Sequence, residues 1–94
     1  SVNLKICDYM SGKIGESFVG TISSVHSHGF FVRLDNTAEG FVGFDPVHSE
    51  HFQFDPKLQT LMGEETGRTY RLGQRVKVRL KQVDMRDRSI DFEL

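Results

Sequence analysis

The seven residues Arg75-Val76-Lys77-Val78-Arg79-Leu80-Lys81 alternate without a break between cationic and aliphatic side chains. Successive side chains of a β-strand point to opposite faces. A strict period of two therefore predicts a half-buried strand, with Val76, Val78 and Leu80 inward and the four cations outward. The same pattern recurs along the chain. Phe18-Val19-Gly20-Thr21-Ile22 puts Phe18, Gly20 and Ile22 on one face, and Ser23-Ser24 then breaks the parity before Val25, which predicts a β-bulge. Phe30-Phe31-Val32-Arg33-Leu34 turns Phe30, Val32 and Leu34 one way and Phe31 and Arg33 the other. Glu39-Gly40-Phe41-Val42-Gly43-Phe44 is apolar on both faces, so its parity stays open. Ser89-Ile90-Asp91-Phe92-Glu93-Leu94 alternates again, and His28-Gly29, Asp35-Asn36-Thr37 and Asp84 through Arg88 read as turns.

Five short strands without a long helix, in 94 residues, predict one small barrel or sandwich. Gly20 at an inward position lets its strand coil around a narrow barrel. The connection from Val47 to Leu72 is long for such a domain. Within it, Leu58 to Met62 and Arg68 to Arg71 flank Glu64-Glu65-Thr66-Gly67, which predicts an added hairpin. Residues 1–14 read as a loose lead-in with a helical turn, and residues 15–94 as the domain. The start at Ser1 and the end in a strand are expected to be cuts in a longer chain.

Charge is unevenly spread under a net of −1. Residues 1–65 carry four basic side chains against nine acids, and residues 66–88 carry eight against two. The second block argues for a polyanionic partner where the net charge does not. Four like charges on one strand face (Arg75, Lys77, Arg79, Lys81) repel one another, and Arg86 and Arg88 follow them. Single strands of nucleic acid are held by aromatic platforms beside cationic grooves. Phe31 is the sharpest platform candidate, because its strand turns it away from the core. Arg33 shares its face and His28 precedes it at the turn.

Other classes of function find less support. Cys7 is the only cysteine, so an intrachain disulfide is excluded and a reducing cytoplasm fits. Residues 1–10 are neither basic enough nor long enough in apolar residues to read as a secretory signal, and no apolar run reaches membrane-spanning length. His48-x-x-His51 and His26-x-His28 could each offer two metal ligands, but no Cys or carboxylate cluster completes a site at characteristic spacing. The thirteen acids are scattered, with no converging group for a two-metal nuclease, no phosphate-binding glycine loop and no nucleophile elbow. The expectation is that the domain is not itself an enzyme and holds no cofactor.

Gly20 through Leu34 resembles the opening of an S1 RNA-binding domain, which reads G-x-V-x-x-V, an aromatic, then G-[AF]-F-V-x-L. Glu39-Gly40-Phe41-Val42 is similar to that family's E-G-L-V, Gly73 through Val78 to its G-[DQ]-x-V-x-V, and Val83 through Ile90 to its closing V-D-x-x-x-[RK]-x-I. The blocks occur in order over roughly residues 14–94. The resemblance implies an all-β fold, a five-stranded antiparallel OB barrel with a long insertion between strands 3 and 4, and single-stranded RNA as the partner. Asp8-Tyr9-Met10, Asp35 through Gly40, Gly63 through Gly73 and Ile90 through Leu94 look more narrowly like the C-terminal S1 domain of the bacterial ribonuclease R family. That likeness implies a parent chain that is a processive 3′-to-5′ exoribonuclease of RNA decay, with a Mg²⁺-dependent active site in another domain. The RNA-contacting positions then fall on His28, Phe31, Asp84 and Arg88, with Arg33, Lys77 and Arg79 added from the charge pattern. Two positions depart from the family pattern: His28 stands where an aromatic is usual, and Gly43 where a histidine ends the third strand. An S1 module of another translation or decay protein, or an OB module that docks protein, remains an alternative.

Overall fold

In the computed structural model, which describes residues 3–94, the chain forms one short helix and eight strands. The elements are α1 (Leu4–Ser11), β1 (Ser17–His26), β2 (Gly29–Leu34), β3 (Glu39–Gly43), β4 (Phe52–Asp55), β5 (Thr60–Gly63), β6 (Thr69–Arg71), β7 (Arg75–Asp84) and β8 (Ser89–Glu93). Strands β1-β2-β3-β8-β7 close into a barrel, and β4-β5-β6 form a separate three-stranded sheet. The five strands read from the alternation are the barrel strands, and the inward residues Ile22, Phe30, Val32, Leu34, Val42, Val78, Leu80, Ile90 and Phe92 are its core.

The two ten-residue strands make closure possible. β1 pairs with β7 through Ser17–Thr21 and with β2 through Gly20–His26, so it belongs to both walls. The expected bulge lies between Ile22 and Ser24, and a second lies between Leu80 and Gln82 of β7. Each bends its strand around the core. The far edge of Ile22 is satisfied outside the strands: its N–H donates to the Gln74 carbonyl (2.8 Å) and its carbonyl accepts from Gly73 N–H (2.9 Å). Gly20 meets the crowding that a narrow barrel imposes. A Cβ there would come within 2.6 Å of Val32 Cγ1 and 2.7 Å of the Arg33 carbonyl oxygen.

Three expectations need correcting. The barrel is not antiparallel throughout, because β3 and β8 pair in parallel, Phe41 with Asp91 and Val42 with Phe92. Strand direction cannot alternate all the way around a ring of five, so one seam must be parallel. The insertion is more than a hairpin, since Phe52–Asp55 adds a third strand to it. The lead-in is not loose. Asn3 caps α1 by accepting the Ile6 N–H (2.9 Å), and Cys7 and Met10 are fully buried. Ser1 and Val2, the start of that predicted segment, lie outside the described residues.

The barrel is packed at both ends. Met10 of α1 joins Leu34 and Ala38 in the core at one mouth. At the other, Leu61 of the inserted sheet is fully buried, and Phe30 stacks on Tyr70 (5.0 Å between centroids) and Phe44 on Phe52 (4.2 Å). The inserted sheet is thus a lid of aromatic rings that satisfies the apolar end of the barrel. Phe30→Ala should remove the ring that joins barrel to lid and cost about 3–5 kcal/mol of unfolding free energy. Chemical denaturation of the two proteins measures it, and a loss under about 1 kcal/mol would mean that Phe30 is not in the core.

Candidate nucleic-acid interface

With Phe30 and Val32 inward, β2 must present Phe31 and Arg33 on the outer wall. The register then decides what stands beside them. Phe31 lies between Ser24 of β1 and Phe41 of β3, and Arg33 lies between Thr21 and Glu39. The Phe31 and Phe41 rings are 4.9 Å apart and tilted by 58°, and the His26 ring meets Phe31 edge-on at 5.7 Å. Three rings therefore line one side of the barrel, two half-buried and His26 exposed. Isolated apolar side chains on a surface need no explanation, but an aromatic cluster on an outward strand face marks a contact surface.

Charge flanks these rings. Arg33 Nη2 lies 3.5 Å from Glu39 Oε2, which also accepts the Ser23 hydroxyl (2.7 Å). Arg75, across Thr21 from Arg33, donates from Nη1 to Thr21 Oγ1 (3.1 Å) and to Asp35 Oδ1 (3.2 Å). These contacts orient the two guanidinium groups while leaving them exposed, and such exposed pairs contribute little stability.

Gly43 changes the platform in a way the sequence did not disclose. A Cβ on Gly43 would lie only 3.2 Å from Cε2 of Phe41, so the Phe41 ring leans over the glycine. The ring occupies ground that a side chain at position 43 would claim. Relative to the pattern E-G-L-V-H, this chain has traded a histidine for a larger aromatic two residues earlier.

The expected site residues do not all converge. Phe31 and Arg33 share the outer face of β2. His28 is exposed in the β1–β2 turn, where its carbonyl accepts the Phe44 N–H (2.9 Å), and the imidazole against Phe31 is that of His26. Asp84 accepts the Asp87 N–H (2.9 Å) and so caps the β7–β8 turn, in which Arg88 takes a left-handed conformation at φ 53°. The parallel register sets Ser89 level with Glu39, which brings that turn to the Arg33 end of the face. Lys77 and Arg79 stand apart. Their strand borders β1 and β8, not β2 or β3, and Arg79 donates to Glu93 Oε2 through Nε (2.8 Å) and Nη2. Phe41 and His26 were missed as candidates. β3 is apolar on both faces, which hid Phe41. The bulge, had its parity been carried one residue past Val25, would have turned His26 outward.

Among the described residues no group of three or more His, Cys, Asp or Glu is placed to hold a metal ion, and no helix is long and apolar enough to cross a membrane.

The model of the S1 RNA-binding domain family matches residues 12–94. The chain belongs to that family. Its S1 domain is 48% identical over 89 residues to ribonuclease R of Escherichia coli and 42% identical over 87 residues to that of Aquifex aeolicus. These matches cover 94% and 92% of the chain but 11% and 12% of the relatives. The chain therefore spans about a ninth of the length of the curated proteins it matches. Among solved structures it is similar to apo Mycoplasma genitalium RNase R, with a TM-score of 0.84 and 27% identity over 97% of the chain and 14% of that protein. The same enzyme in complex with ribose-methylated single-stranded RNA gives 0.83 and 28% over 95% and 14%.

The two phenylalanines of this S1 domain should be coupled in the free protein. A double-mutant cycle with Phe31→Ala and Phe41→Ala, read by denaturation, is expected to give an interaction of about 0.5–1.5 kcal/mol. A value near zero would mean that the rings do not touch in solution.

Proposed function

We propose that this domain holds single-stranded RNA for a parent exoribonuclease, with bases stacked on Phe31 and Phe41 and the backbone steered by Arg33. The observation that carries this reading is the ring pair itself. Two phenylalanines in contact on an outer barrel wall, with an imidazole at one edge and a guanidinium one step along β2, are what sequence-tolerant base stacking requires. Every base has a π-face, so such a platform accepts any sequence. His26 frames one end of the platform. Asp84 and Arg88, in the turn at the opposite end, are within the proposed path of the strand, and His28 lies beyond His26 in the direction of the inserted sheet. The likeness to Mycoplasma genitalium RNase R, a protein captured in complex with ribose-methylated single-stranded RNA, supports the same ligand.

The charge of β7 plays a secondary part in this proposal. Arg75 and Arg79 are paired with Asp35 and Glu93, which leaves Lys77 and Lys81 without an acid within ion-pair distance among the described residues. They serve strands long enough to wrap past β1. For single strands each phosphate contact adds about −0.7 to the slope of log K against log salt. With an oligonucleotide that covers only the ring pair, Arg33→Gln should flatten the slope by about that amount and Lys77→Gln should leave it unchanged. Phe31→Ala should weaken binding by roughly 5- to 150-fold, from about 1–3 kcal/mol per stacked base. Fluorescence titrations over a range of salt measure all three. Equal effects of the two charge substitutions would place the RNA around the barrel instead of across its aromatic wall, and no loss with Phe31→Ala would leave a protein-docking role.

The parent proposed here is a ribonuclease R-like 3′-to-5′ exoribonuclease of the cytoplasm, with Mg²⁺ chemistry in another domain. The identity to ribonuclease R supports it. Labelled RNA incubated with this domain and Mg²⁺ is expected to stay intact, while the full-length parent should shorten it from the 3′ end. Cleavage that copurifies with the domain and is lost when one of its own acids is replaced would overturn that division of labour.

A further inference from the structure

The inserted sheet leaves a cleft against the open end of the aromatic wall. It has a volume of about 220 Å³, and its walls include His28 from the β1–β2 turn, Phe44 after β3, and His51 and Phe52 at the start of β4. That is smaller than the pockets that take drug-sized ligands and suits a single planar ring. Phe44 and Phe52 are stacked on one another at 4.2 Å and 25°, and both line the cleft, so one wall is aromatic. The imidazoles of His28 and His51 are both exposed.

The electrostatics of the cleft choose between the two parts of a nucleotide. Its remaining charged lining is acidic. Asp45 accepts the Val47 N–H (2.8 Å) and lies 2.7 Å from His48 Nδ1, and the His48 hydrogen bond is the main cause of a lowered carboxyl pKa. Glu50 accepts the Thr66 hydroxyl (2.6 Å) and the backbone N–H groups of Glu65 (2.8 Å) and Thr66 (3.0 Å), and the Thr66 contacts hold its pKa down as well. Both carboxylates are thus fixed as anions with their acceptor positions engaged. No lysine or arginine lines the cleft. A phosphate would face two carboxylates with no lysine or arginine in the lining to offset them, whereas a neutral heterocycle would meet rings.

We propose that this cleft is a base-binding subsite, which takes one nucleobase of the strand beyond those on Phe31 and Phe41, between the imidazoles of His28 and His51 and the Phe44–Phe52 wall. The cleft adjoins the interface through the β1–β2 turn. His28 is next to Gly29, which pairs with Gly43, the residue the Phe41 ring overhangs. A strand that runs along the rings toward Gly43 therefore arrives at this opening. The inserted sheet then has two tasks, closing the barrel core on one side and extending the RNA path on the other. The inference rests on the stacking role of the ring pair, and its test must separate the two.

His51 is the residue to change, because its side chain is 81% exposed and its replacement leaves no cavity. A ladder of RNA oligonucleotides, lengthened one nucleotide at a time, is titrated against the wild type, His51→Ala and Phe31→Ala. The wild type should show a step in affinity at the length that first fills the cleft. His51→Ala should lose that step, a drop of about 5-fold or more for long strands, and bind the short strands as the wild type does. An abasic nucleotide at the position that produces the step should reproduce the loss in the wild type and have no further effect in His51→Ala. Phe31→Ala should weaken every length. A smooth ladder in the wild type, an abasic nucleotide without effect, or an equal loss at all lengths in His51→Ala would each overturn the subsite while leaving the ring pair intact. Failure of Phe31→Ala to weaken any length would overturn the stacking role instead.

Discussion

The burial of Phe30 is the constraint on which the remaining geometry depends. Its side chain is fully buried in the barrel core and is clasped from outside by Tyr70 and Phe44 of the lid and its approach. Once that side chain is inward, the pleat of β2 leaves Phe31 no choice but the outer wall. The antiparallel register then brings Phe41 beside it and Glu39 beside Arg33. A shift of one residue in this strand would exchange core for surface along its whole length. Packing of the aromatic lid therefore also fixes the parity of the outer aromatic wall, although the lid lies at the end of the barrel.

The distribution of charge follows a different logic. Composition suggested one basic block, but folding divides it. Of the β7 cations only Arg75 comes near the aromatic wall, across Thr21, while Lys77 and Arg79 stand apart, and two of the four are matched by Asp35 and Glu93. Arg33, isolated in an acidic stretch of sequence, is the cation that stands among the rings. Spatial neighbours, not sequence neighbours, set the local field.

Much of this was legible in the residues. The alternation of Phe30 through Leu34 and of Arg75 through Leu80 assigned the buried face of both strands correctly, because a half-buried strand writes its parity into the sequence. Ser23-Ser24 disclosed the bulge for the same reason. β3 was opaque: Gly40 and Val42 face inward and Phe41 outward, yet all are apolar, so the second stacking ring could not be told from a core residue. The lid was half-seen. Phe52-Gln53-Phe54-Asp55 alternates, but four residues running into Pro56 within a long connection read as loop until Leu61 is known to be buried. The docking of α1 was hidden too, since Cys7 and Met10 are a sparse signal for a buried helix face. Which cations would be paired was not readable at all, because Arg79 and Glu93 meet only after β7 and β8 come together.

The parallel seam between β3 and β8 has a consequence for the order in which the molecule assembles. β1, β2 and β3 form a meander of local contacts, so the two stacking rings meet through a pairing only about ten residues long in sequence. The strand that locks β3 from its other side is the last of the five to be synthesised, and it reaches β3 across some fifty residues of intervening chain. Local contacts form quickly and distant ones slowly. On an emerging polypeptide the aromatic wall is thus drafted early as a two-sided sheet and becomes one wall of a barrel only when Ile90 and Phe92 arrive to fill the core behind it. Until then its hydrophobic back is open, and completion of the aromatic surface waits on the barrel strand farthest from it in the sequence.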